Sequence, residues 1–173
     1  EPIAPSGGLS PFSTTSNTWS RRIWPIKPEI LLEGGNVARG PNGSIFDTED
    51  LKLLSTCYEP QAAQFSPFDA TSAAAAQASW MAAQVQKHYR DAWPETIRGL
   101  LVHTAQWTDV MRGCFLPDPA SKGDYAKLLR ICGYGVPSLD RALYCAANSL
   151  TLVSQAELQP YDKKDGRPIT RDM

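Results

Sequence analysis

Ser72 is the residue best placed for covalent chemistry. It stands at the head of the run Thr71-Ser72-Ala73-Ala74-Ala75-Ala76-Gln77-Ala78-Ser79-Trp80-Met81-Ala82-Ala83-Gln84-Val85-Gln86. That run contains neither Gly nor Pro and is dominated by the strongest helix former. Phe65-Ser66-Pro67-Phe68 leads into it as extended chain, because a residue before proline avoids the helical region. A serine in the first turn of such a helix has two advantages as an acyl-transfer nucleophile. Its own N–H is one of the helix's unpaired donors and can bind a developing oxyanion. The helix dipole also favours negative charge at that end. The same pattern equally suits a plain helix start, with Asp69, Thr71 or Ser72 as the N-cap, and spacing alone leaves both readings open.

Other reactive groups are sparse. His88 lies on the same predicted helix as Ser72, roughly 24 Å along the axis at 1.5 Å per residue. His103 falls in the next predicted helix with no motif around it. Both read as surface or structural residues. Among Cys57, Cys114, Cys132 and Cys145 no pair forms a CxxC, and neither histidine sits at ligand spacing, so no metal site is expected. Cys132 and Cys145 lie in apolar helical settings and read as small buried hydrophobes. No disulfide is expected, which leans towards a reducing, cytoplasmic setting. Gly34, Gly35, Gly40 and Gly43 are not followed by Gly-Lys-Ser/Thr, so turns explain them better than a phosphate loop. Glu49-Asp50 and Asp162-Lys163-Lys164-Asp165 read as solvated segments. Trp19, Trp24, Trp80, Trp93 and Trp107 read as core residues.

The 173-residue chain carries 17 basic and 18 acidic residues, a net charge of −1. Nucleic-acid binding needs a clustered basic excess, so no nucleic-acid partner is expected. No apolar run approaches the roughly 18 to 20 residues that span a bilayer, so no membrane partner is expected either. At 42% hydrophobic residues the chain can bury a core.

The elements that must position Ser72 follow from patterning. Residues 1–25 hold Pro2, Pro5, Pro11 and Pro25 among serines and threonines, which is loop chemistry. Ile30-Leu31-Leu32 reads as a buried strand turning at Gly34-Gly35, and Leu51 to Cys57 as a second strand. The alanine-rich helix runs to about His88 or Tyr89, and its small side chains suit a central buried element. Trp93-Pro94-Glu95 opens another helix, residues 112–123 read as loop, and Tyr125 to Ile131 as a short helix closed by Gly133. Gly133-Tyr134-Gly135-Val136-Pro137 is a tight turn, after which Ser138 caps a helix carrying Leu139, Ala142, Leu143 and Ala146. Leu150-Thr151-Leu152-Val153 reads as a strand, and the segment from Asp162 to Arg171 as a polar tail without helix or strand. Strands, then helices, then a strand give an α/β or α+β class.

Four segments in order resemble the subtilisin-like serine proteases. Ala70-Thr71-Ser72-Ala73-Ala74 is similar to the family's Gly-Thr-Ser-x-Ala-x-Pro nucleophile motif. Lys27-Pro28-Glu29-Ile30-Leu31-Leu32-Glu33-Gly34-Gly35 looks like its Pro-Asp-hydrophobic-x-Ala-Pro-Gly strand. Trp93-Pro94-Glu95-Thr96-Ile97-Arg98-Gly99-Leu100-Leu101 is similar to the helix after the nucleophile helix. Gly133-Tyr134-Gly135-Val136-Pro137, with Leu139 and Ala142, resembles the Gly-x-Gly turn and final helix of the catalytic domain. Two positions depart: Ala70 stands where the family usually has Gly, and Ala76 where it usually has Pro.

The resemblance implies an α/β fold, the C-terminal half of a three-layer subtilisin-like domain. It would comprise part of the parallel sheet, the nucleophile helix and its flanking helices. Residues 1–25 would be a loop-rich lead-in, 26–155 the C-terminal portion of the catalytic domain, and 156–173 a polar tail leading onward. The resemblance makes Ser72 the catalytic nucleophile of a peptidase acting on peptide or protein substrates without a cofactor. Some members bind structural calcium, but no acidic loop here marks such a site. The family's Asp, His and oxyanion Asn lie upstream of the matched segments. The chain is therefore expected to be cut from a longer protein, inactive without its missing N-terminal part, and prone to self-association. Asn36 in Gly34-Gly35-Asn36 matches the wrong strand for the oxyanion residue. The rival expectation is a non-catalytic scaffold or interaction domain on a protease-like fold.

Overall fold

The alanine-rich run folds as expected. In the computed structural model, which describes residues 1–19, 26–144 and 153–156 and the backbone of 161–164 and 167–170, it forms helix α1 over Ala70–His88. α1 buries only Ala73, Met81 and Val85, which share one face. Helix α2 (Pro94–Thr104) starts on Pro94 with Glu95 in its first turn, and it buries Ile97, Leu100, Leu101 and Thr104. Their partners come from a later helix, α5 (Leu139–Tyr144), whose start is capped by the Ser138 hydroxyl accepting the Arg141 amide at 3.3 Å. Met81, Val85, Ile97, Leu100, Leu101 and Ala142 form one core, and the Tyr89 hydroxyl closes it by donating to the Ala142 carbonyl at 3.0 Å.

Helices α3 (Asp109–Phe115) and α4 (Lys122–Cys132) form a second core through Met111, Leu128, Ile131 and Cys132. Both correct the sequence expectation, since residues 112–115 and 122–123 are helical rather than loop. The cause is capping. The Thr108 side chain accepts the Met111 amide at 3.1 Å, and Ser121 and Asp124 make a reciprocal capping box. Gly133, at φ 55°, ends α4.

The sheets are small. β1 (Ala38–Arg39) pairs with β2 (Ile45–Phe46), β3 (Leu53–Thr56) with β4 (Phe65–Phe68), and β5 (Tyr161–Lys164) with β6 (Arg167–Thr170), all antiparallel. β3 and β4 fulfil the strand expected within Leu51–Cys57 and the extended segment before Ser72. The β5–β6 hairpin corrects the expected structureless tail. The expected parallel sheet is not found among the described residues.

Ile30-Leu31-Leu32 is extended but forms no strand ladder. Its neighbour is the Gly133–Gly135 turn, where Tyr134 N donates to Glu29 O and Leu31 N to Gly135 O, both at 2.8 Å. Side-chain alternation sends Leu32 to the first core and Leu31 to the second, so this segment seams the two. Of the strand expected at 150–153, residues 150–152 lie outside the described residues, and Val153 is not in a strand. Among the described residues no helix is long and apolar enough to cross a membrane.

The tryptophans correct the core expectation. Trp19, Trp80 and Trp93 are exposed, Trp24 lies outside the described residues, and only Trp107 packs on the second core, donating its indole N–H to Gly133 O at 2.8 Å. Cys57, Cys114 and Cys132 are free thiols, and Cys145 lies outside the described residues. Burial, and secondarily the proximity of Cys114, pushes the Cys132 thiol up to about 11. In the folded chain Cys114 should react with a thiol reagent promptly and Cys132 only upon unfolding. Titration of the denatured, unreduced chain should count all four of its cysteines; a count of two or none would contradict the expectation that the chain forms no disulfide.

Candidate active site

The turn from β4 into α1 is unusual in its backbone. Asp69 occupies the N-cap position with extended angles (φ −143°, ψ −163°), and Ala70 follows at φ 62°. Left-handed backbone costs an L-residue roughly 1–2 kcal/mol, because Cβ crowds the following carbonyl. Ala70 is the one non-glycine residue with positive φ among the described residues. Its conformation explains why glycine suits this place in the resembling motif. Such strain collects at functional sites, where the surroundings over-determine the backbone.

Here the surroundings are visible. The Ala70 amide donates to Gly34 O at 2.8 Å, and the Gln77 side chain donates to Glu33 O at 2.7 Å, fastening α1 to the Gly34-Gly35 turn. A Cβ on Gly34 would lie 3.1 Å from Ala70 O, and one on Gly35 3.1 Å from Asp69 Cβ. The Ser10 hydroxyl holds the same turn by donating to Gly35 O at 2.7 Å. Lys52 sits between two carboxylates, Asp47 and Asp69, the latter 3.1 Å from its Nζ. The hydrogen bond to Asp47, then that to Asp69, raises the Lys52 ammonium above its ordinary value.

Replacing Ala70 with glycine removes the Cβ conflict at the cost of extra freedom in the unfolded chain. A net gain of about 0.5–1 kcal/mol is expected, seen as a melting point roughly 1–4 °C higher. A drop in melting point would show that Ala70 is unstrained.

The expected nucleophile, Ser72, lies exposed in the first turn of α1, neither mid-helix nor under apolar side chains. Neither Thr71 nor Ser72 is the N-cap. Beside the turn is an apolar pocket of about 210 Å³ lined by Phe12, Ile30, Leu32, Ala70, Thr71 and Ala74 among others. A groove of about 500 Å³ continues along α1 past Ala78 and Ala82 to Ile97 and Leu101 of α2. At its edge Arg98 pairs with Glu29, and this bond, with Lys27, holds the Glu29 carboxyl below its usual range. Ala75, Ala76, Trp80 and Ala83 leave an apolar stripe of α1 exposed. The helix that reads as a central element thus has one face covered in this chain.

Neither histidine hydrogen-bonds Ser72, and His88 stands at the opposite end of α1 from it. His88 ends α1, exposed, with its ring edge-on to Tyr89 at 5.2 Å, and His103 is exposed on α2 beside Trp93 and Val153. Asn36 is occupied structurally. Its Nδ2 donates to Ala4 O at 2.7 Å, and its Oδ1 accepts from Ala4 N and Val37 N. Among the described residues no group of three His, Cys, Asp or Glu side chains could hold a metal ion. Sequence reasoning missed Lys52 and Asp69 as a pair, because nothing in the spacing of Lys52 brings it to the head of α1.

An exposed serine thus stands at the head of a long helix that is entered through a left-handed residue. The model of the Subtilase family matches residues 3–135, well over half the chain and inclusive of this site. The chain belongs to the subtilase family, a family of serine peptidases. No curated protein and no solved structure matches it.

Proposed function

We propose that this chain carries the nucleophile of a subtilisin-type serine endopeptidase, Ser72, in the C-terminal part of a three-layer catalytic domain. The supporting observation is the exposed first-turn position of Ser72 behind the left-handed Ala70, inside the family-matched segment. Ser72 Oγ attacks a peptide carbonyl while its proton passes to a histidine, and the tetrahedral oxyanion takes the Ser72 N–H as one donor. Collapse breaks the C–N bond, the amine leaves with that proton, and water then hydrolyses the acyl-enzyme.

His88 stands at the opposite end of α1 from Ser72 and His103 makes no bond to it, so on this reading the base and its aspartate come from a preceding part of the protein. The exposed alanine stripe of α1 and the two grooves are where that part packs. By itself the chain self-associates through this face and does not turn over peptides. The scaffold reading draws on Ala70, whose Cβ stands where a motif glycine would leave room for substrate backbone.

A fluorogenic peptide assay separates the readings, run on the 173-residue chain and on the chain joined to its preceding part. Turnover is expected only in the joined protein. Turnover by the chain alone that vanishes in Ser72→Ala would overturn the missing-base argument, and inactivity of both across several substrates would favour the scaffold.

A further inference from the structure

Asp69 has the residue type, position and extended backbone of an N-cap, yet its side chain caps nothing. The other long helices use their caps. Trp93 O accepts the Thr96 and Ile97 amides for α2, and Ser121 accepts through both its carbonyl and its hydroxyl for α4. The first turn of α1 makes no comparable bond to Asp69 among the described residues. The Asp69 carboxylate goes instead to Lys52, 3.1 Å away, whose side chain is only 16% exposed and is braced from the other side by Asp47.

We propose that Lys52 is a positioning residue that draws the Asp69 carboxylate off the end of α1 and so keeps the first-turn amides, that of Ser72 included, open to an oxyanion. A carboxylate seated on those amides would satisfy the donors that a tetrahedral intermediate needs, and its negative charge would oppose the developing one. The helix gives up an ordinary capping bond, and the ion pair with the half-buried lysine replaces it. The proposal rests on the reading of Ser72 as nucleophile for its purpose, but not for its test.

The test is amide hydrogen exchange at Thr71–Ala73 in the 173-residue chain, which needs no activity. In Lys52→Met the freed Asp69 should cap the helix, and exchange at these amides should slow about tenfold or more. Lys52→Arg, which keeps the ion pair, should exchange like the unaltered chain, and Lys52→Met/Asp69→Ala should lose the slowing. Asp69→Asn supplies an independent route: its carboxamide loses the ion pair but keeps a capping oxygen, so exchange should slow as well. Unchanged or faster exchange in both Lys52→Met and Asp69→Asn, with the rest of α1 protected as before, would overturn the proposal. So would slowing that persists in the double variant. A failure of peptidase activity leaves this exchange pattern untouched, so the two ideas fail separately.

Discussion

Gly135→Ala should lower the stability of this chain by about 2–5 kcal/mol, the combined cost of left-handed backbone and overpacking. Gly135 has φ 98°, and a Cβ there would lie 2.2 Å from Gln106 O and 2.6 Å from Trp107 N. Both neighbours are backbone and cannot swing aside. Gln106 and Val136 exchange two backbone hydrogen bonds next to it, at 2.8 and 2.9 Å, and Gly135 O accepts the Leu31 amide. The same turn carries Gly133 at φ 55°, where a Cβ would lie 2.3 Å from Pro28 O. Opening the turn therefore detaches the Glu29–Leu32 segment that seams the two cores. Thermal melts should show a fall of roughly 5–20 °C. Gly99→Ala is the control, because its Cβ meets nothing within 4 Å and helix α2 favours alanine. Equal melting points for the two variants would show that the Gly133–Gly135 turn is not the tight junction described.

Ser72→Ala carries the largest functional effect. In the protein that includes the histidine base, peptide turnover should fall to the residual level that oxyanion donors and binding alone provide, about 10³–10⁴-fold over water. The hydroxyl is exposed and makes no hydrogen bond within the described structure, so its removal should leave the melting point within about 0.5 kcal/mol of the parent. That separation of activity from stability distinguishes a nucleophile from a structural serine. A large loss of stability, or turnover that survives, would count against the assignment.

Much of this was legible in the sequence because it is written locally. The uninterrupted alanine run forms α1, Pro94 with Glu95 starts α2, and the Gly-x-Gly turn appears where its glycines stand. Ser72 could be placed in a first turn because Pro67 enforces extended chain ahead of it. The extents of α3 and α4 were missed because Thr108 and Ser121 act as caps, and the Ser121–Asp124 box is a sequence signal that would have found one of them. The Asp165-Gly166 dipeptide is likewise a hairpin signal for β5 and β6. Long-range features were illegible. Leu31 and Leu32 part to two cores only because the Gly133–Gly135 turn arrives beside them. Trp80 reads as core until α1 is seen to have one covered face. The Lys52–Asp69 pair needs β3 and the head of α1 to meet in space, and the strain at Ala70 is a backbone angle that the motif position hinted at but could not supply.

Covalent labelling tests, without a chosen substrate, whether Ser72 is an activated nucleophile. A fluorophosphonate reacts with such a serine by forming an Oγ–P bond and releasing fluoride, and the adduct can be located by mass spectrometry after proteolysis. With the chain joined to its preceding part, a single adduct is expected on the Leu53–Lys87 tryptic peptide, fragmenting to Ser72 rather than Ser55, Ser66 or Ser79, and absent from Ser72→Ala. Labelling at another serine, or no labelling of a folded protein, would contradict the nucleophile assignment.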